Sequence, residues 1–199
     1  GFLFYSLLAI ADQRDTEVFK INENQILLAE EIINKLETSH LIKKDYISLK
    51  IEAFEEFLKR LDPNKTVFTS REIKEFVSKN TSSKNIENDL EVAFEVFNKY
   101  VKRYEMRYEE QIDFLNILDS ENLNSGRKLI RDLSESERTT SLEELKNLWI
   151  DLSTNDVIQL MLSGNTLDEA IEKTKKRMAN QLNYFEQTRN EDVFNIFVN

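Results

Sequence analysis

Two stretches of the sequence carry residue types whose spacing could do chemistry. Glu37-Thr38-Ser39-His40 has the Glu-x-x-His spacing that, on a helix, sets a carboxylate and an imidazole on one face, as in bundles that hold two iron ions. Such a centre takes two of these pairs, and the chain contains a single histidine, which excludes it. His40 beside Ser39 could act as a catalytic base, but a triad needs partners brought together from elsewhere in the chain, and no spacing identifies them. An imidazole that complements the dipole at a helix C-terminus is the plainer reading. Lys173-Thr174-Lys175-Lys176-Arg177 is a basic run with Glu169 and Glu172 one turn before it. That order favours i,i+4 ion pairs, so a solvated helix face accounts for it.

Cysteine is absent, which removes disulfides, thiolate metal sites, iron–sulfur clusters and a cysteine nucleophile together. There is no glycine-rich phosphate loop, no Gly-x-Ser-x-Gly elbow and no histidine cluster. No residue is therefore assigned as catalytic, cofactor-binding or metal-ligating. With 27 basic and 37 acidic side chains and a net charge of −10, the chain is a poor ligand for nucleic acid, where Lys and Arg supply the affinity.

The elements that would position any site are helical. The chain has 199 residues, 3 glycines and 1 proline, where average usage would give about 14 and about 10. Long uninterrupted helices must therefore hold almost every residue. Ile26, Leu28, Ala29, Ile32, Ile33 and Leu36 recur at helical spacing and predict a helix over about residues 23–40. After Asp45, Ile47, Ile51, Phe54, Phe57, Leu58 and Leu61 define a second, which Asp62-Pro63-Asn64 ends. Thr69…Glu72, Ser141…Glu144 and Thr166…Glu169 each set a hydroxyl three residues before a carboxylate, the signature of a capped helix start.

The stripe Leu90, Ala93, Phe94, Phe97, Val101, Tyr104, Tyr108, Ile112 and Leu115 predicts one long helix over about residues 84–118, roughly 50 Å in length. Asp119 to Thr140 is polar, with Leu129, Ile130 and Leu133 as its apolar cluster, and reads as an irregular loop containing a short helix or strand. Helices then follow Ser141, with Leu145, Leu148, Trp149, Leu152, Val157, Leu160 and Met161, and Thr166, with Leu167, Ala170, Ile171, Met178, Leu182 and Phe185. Gly164 suits the left-handed position between them. A last helix begins at Asn190-Glu191-Asp192. The expected fold is thus an all-α multi-helix bundle around one long central helix, with Trp149 and the phenylalanines as core.

Residues 1–11 form a separate unit. Phe2 to Leu8 is apolar, and Ala9-Ile10-Ala11 precedes polar Asp12, the order of a signal-peptide tail, although a basic n-region and a start methionine are missing. The segment is either a signal-peptide remnant or a helix docked on the core, and residues 12–199 form the helical domain. At the other end, Val193-Phe194-Asn195-Ile196-Phe197-Val198 is an apolar run that reads as continuing into further structure.

Leu61-Asp62-Pro63-Asn64-Lys65-Thr66-Val67-Phe68-Thr69-Ser70-Arg71-Glu72-Ile73 resembles a stretch in the N-terminal domain of tail-specific (C-terminal processing, Prc-like) serine proteases. Phe94-Glu95-Val96-Phe97-Asn98-Lys99-Tyr100 with Arg103 is similar to a second motif of that domain. Leu148-Trp149, Asn155-Asp156, Gly164, Asn180-Gln181-Leu182, Gln187-Thr188 and Glu191-Asp192-Val193-Phe194 come in the family's order. Met178-Ala179 and Arg189-Asn190 depart from it, so surface contacts known in relatives need not transfer.

The resemblance implies a non-catalytic helical scaffold, with a PDZ domain and a protease core bearing a serine nucleophile and a lysine base farther along the same chain. It also implies a periplasmic location in a Gram-negative envelope, protein substrates processed from their C-termini, and a surface offered to an adaptor. No cofactor is implied. A free-standing helical adaptor without protease activity is the competing class.

Overall fold

The computed structural model describes residues 18–38, 46–121, 123, 133, 134 and 136–198. Ser39, His40, residues 1–11, Leu129 and Ile130 lie outside them, so the readings that fall on these residues do as well. The described chain is all-α: α1 (Glu23–Thr38), α2 (Tyr46–Leu61), α3 (Ser70–Ser82), α4 (Ile86–Ile117), α5 (Leu142–Leu162), α6 (Leu167–Glu186) and α7 (Asn190–Val198). No strand occurs among the described residues. None of these helices is long and apolar enough to cross a membrane.

The helix starts show why the chain folds into these units. At α3, the Thr69 hydroxyl accepts from the Glu72 N–H while the Glu72 carboxylate accepts from the Thr69 N–H, a reciprocal cap. Thr166 and Glu169 make the same exchange at α6. At α5 the Ser141 hydroxyl caps Glu144 N–H, but the Glu144 carboxylate reaches past it to the backbone and hydroxyl of Thr140. A further reciprocal pair, Asn22 with Gln25, starts α1. It escapes a search for Ser or Thr because an amide fills each role. Gly164 closes the α5–α6 turn at φ 96°, in the left-handed region where a side chain is strained.

The 32 residues of α4 span about 48 Å and carry two cores in succession. The first joins the front of α4, from Leu90 to Val101, with Ala29, Phe54, Phe57, Leu58, Leu61, Val67, Phe68, Phe76, Val193 and Phe194. Edge-to-face ring pairs order it, Phe68 on Phe76 at 5.2 Å and Phe57 on Phe197 at 5.5 Å. The second joins Leu115 and Leu118 with Val157, Ala170, Ile171 and Met178.

Hydrogen bonds fix the direction of α5. Lys146 meets Glu110, and Gln111 donates to the Trp149 carbonyl and the Ser153 hydroxyl, with Val157 packing near Leu115. α4 and α5 therefore run parallel, with the segment from Leu118 to Ser141 between them. Its described end, from Leu133 to Thr140, is irregular, as expected for that stretch.

Several apolar positions in the expected stripes stay at the surface. Leu28 is 47% exposed and Ile47 is 61% exposed, because the neighbours of α1 and α2 cover only part of each apolar face. The basic run behaves as a solvated face, with Lys175 paired to Glu172 and Arg177 to Asp156. Thr174 is the exception: it is fully buried and its hydroxyl donates to the Ala170 carbonyl.

Candidate functional site

Two polar clusters interrupt the cores. The first is the turn after α2. Pro63 ends that helix, Lys65 adopts the left-handed conformation at φ 56°, and the chain folds back over the Asp62 side chain. The buried Asp62 carboxylate accepts the N–H groups of Thr66 at 2.7 Å, Val67 at 3.2 Å and Phe68 at 3.1 Å, and pairs with Arg138. Carboxylate–amide bonds of this kind are the stronger class, and they offset the strain at Lys65.

Every polar group of Thr66 has a partner. Its N–H goes to Asp62, its carbonyl accepts the Trp149 indole N–H at 2.7 Å, and its hydroxyl accepts from the Arg107 guanidinium at 3.2 Å. Around this turn lie the Arg103–Glu72 pair at 2.5 Å and the Gln111 bonds to α5. Lys65 Nζ donates to the Ser136 carbonyl and the Ser70 N–H to the Thr139 carbonyl. The result is a polar belt across α4 between the two cores, built from residues as much as 83 positions apart.

Its electrostatics are structural. Burial would raise the Glu72 carboxyl, but the Thr69 N–H, Lys99 and Arg103 outweigh it and hold the group below its ordinary value. Burial lowers Arg107, and it raises Asp156 against the pull of Arg177 and Arg107. Trp149 is a core residue, as its position in the stripe predicts; its indole N–H additionally ties α5 to the turn.

The second cluster contains a lysine and a serine in contact. Lys50 Nζ lies 2.7 Å from Ser83 Oγ, and both belong to residues that could form a nucleophile–base pair. Lys50 is buried on α2 and also donates to the Asn80 and Ser83 carbonyls, each at 2.9 Å, beside the Asp89 carboxylate at 3.4 Å. All of these partners take up the Lys50 amine in bonds that hold the end of α3. Ser83 in turn donates within the cluster, to the Asn80 carbonyl and to Asp89.

Asp89 is fully buried and also accepts from Tyr46 and Asn80. Burial and the bond to Asp89 raise the Tyr46 hydroxyl far above its usual range, so it stays a donor. The cluster closes the C-terminus of α3, where carbonyls lack helical partners, and clamps α2 and α4 to it. Local spacing does not disclose the cluster, since its members come from α2, the end of α3 and α4, and only the tertiary fold brings them together.

The described residues hold no group of three His, Asp or Glu side chains arranged to bind a metal. Several motif residues of the sequence converge in the structure: Asp62, Thr66, Val67 and Phe68 make the turn, while Arg103 and Trp149 brace it.

The model of the tail-specific protease N-terminal domain family matches residues 32–199. A curated tail-specific protease from Haemophilus influenzae is 28% identical over 192 residues, covering 93% of this chain and 27% of that protein. The chain thus spans about a quarter of the length of that relative. With an all-helical fold, the Asp62 turn at its centre and a family match that runs from α1 to the end of α7, the chain belongs to the tail-specific protease N-terminal domain family.

Proposed function

We propose that this domain is a rigid, non-catalytic helical frame of a periplasmic serine endopeptidase that processes or degrades envelope proteins from their C-termini. Peptide-bond cleavage belongs to a downstream protease core, and a PDZ domain in the same chain captures the substrate tail by strand addition and carboxylate binding. A desolvated lysine of lowered pKa would activate the serine there. The domain contributes a wall for the proteolytic chamber and a surface for those domains or a protein adaptor.

The observation that carries this reading is the state of Lys50 and Ser83. The serine–lysine contact in this fragment is taken up in closing α3, with Lys50 against Asp89 and Ser83 bonded to Asn80, which supports a structural use of the pair. Its experiment uses the full-length protease and a tail-tagged substrate. Ser83→Ala is expected to leave kcat within about twofold of the parent while lowering stability by about 1 kcal/mol for the lost hydrogen bonds. A thousandfold fall in kcat with the fold intact would make Ser83 a nucleophile and overturn the reading.

A further inference from the structure

An apolar groove remains open between α1, α2 and α7. Ala29, Ile32, Ile33 and Leu36 form one wall and Leu49, Ala53 and Phe57 the other, around a cavity of about 240 Å³. An apolar cavity of about 150 Å³ already admits a benzene-sized group, so this one has room for more than one side chain. Of the apolar residues of α1 only Ala29 is fully buried, with Ile32 and Ile33 half-buried beside it.

Phe197 and Val198, the last two described residues, themselves line the groove. α7 buries Val193 and Phe194, sets Phe197 edge-on against Phe57, and so carries its apolar stripe into the groove at its C-terminal end. Resting on the reading that this domain is the front of a longer protease, we propose that the groove is filled by the stretch of the parent chain directly after α7. That stretch continues the Val193, Phe194, Phe197 stripe as an amphipathic helix laid against α1 and α2. Tethering favours this occupant over a free partner, because a segment joined at the groove's mouth acts at millimolar effective concentration without any new contact. A shared core, rather than a loose linker, would then lock the domain to the next part of the protease.

The test uses disulfide trapping in the full-length protein, with any native cysteines outside this domain replaced by serine; the domain itself has none. Ile33→Cys on the groove wall is paired with single cysteines three, four and seven residues beyond Phe197, the positions in register with the stripe. Leu27→Cys, on the exposed face of α1, is the control. Mild oxidation is expected to link Ile33→Cys to the in-register positions about tenfold faster than Leu27→Cys, with the linked peptides identified by mass spectrometry. Equal or absent linking from both positions would overturn the proposal. So would an intermolecular link, which would seat a second copy in the groove. Cleavage of a tail-tagged substrate by the same oxidised and reduced samples is read separately, so failure of the protease reading is distinguishable from failure of the docking.

Discussion

Single side chains in this domain act as fasteners between distant parts of the chain. Asp62 holds three backbone N–H groups and Arg138 at once, so Asp62→Ala strands a nearly buried guanidinium and opens the turn. A loss of about 3–5 kcal/mol is expected, read as a lowered midpoint in urea unfolding. Glu72 gives the pH response. Its folded-state pKa lies below the ordinary value of 4.5, so its contribution is fully present above that value and is lost as pH falls through the depressed folded-state pKa. Glu72→Gln should therefore cost about 1–3 kcal/mol at neutral pH and flatten the fall in stability as pH drops below the ordinary value of 4.5; an unchanged acid limb would contradict the assignment.

At this scale the sequence is half legible. The caps at Thr69 and Thr166 follow from local spacing, since both partners lie three residues apart. The bonds of Trp149 to Thr66 and of Lys50 to Ser83 do not, because the pairs are separated by 83 and 33 positions and only the tertiary fold brings them together. Trp149 is identifiable as core from its stripe, yet nothing in that stripe reveals what its N–H binds.

Helices are the most legible level. The expected long helix over 84–118 is α4, Ile86–Ile117, and the other expected starts and stops fall within a few residues, because apolar recurrence at three and four is a direct image of helix geometry. Which apolar positions end at the surface depends on how far neighbouring helices reach, so Leu28 and Ile47 in the expected stripes are exposed. The parallel course of α4 and α5 is likewise set by tertiary packing. Gly164 offers an element-level check: an added Cβ there meets nothing within 4 Å, so only the backbone opposes it. Gly164→Ala should lower stability by about 1 kcal/mol, with helical circular dichroism unchanged; a neutral result would show that the turn relaxes out of the left-handed region.

For the molecule as a whole, two cores on one helix are joined by a polar belt, and the belt sets whether they unfold together. Trp149 is fully buried and bridges α5 to the Asp62 turn. Trp149→Ala should cost about 3–5 kcal/mol and split the single cooperative unfolding step into two, visible as non-coincident transitions by circular dichroism and by hydrogen exchange of α3 against α6. A single coincident transition would show that α4 alone couples the halves. At the same level, the proposed function makes the bundle a frame and places the bond-breaking chemistry elsewhere in the parent protease. The most direct measurement incubates this 199-residue chain, shown to be folded by circular dichroism, with a tail-tagged substrate alongside the full-length protease. Cleavage by the full-length protein and none by the folded domain is the expected result; substrate hydrolysis by the domain alone would contradict a division between frame and protease core.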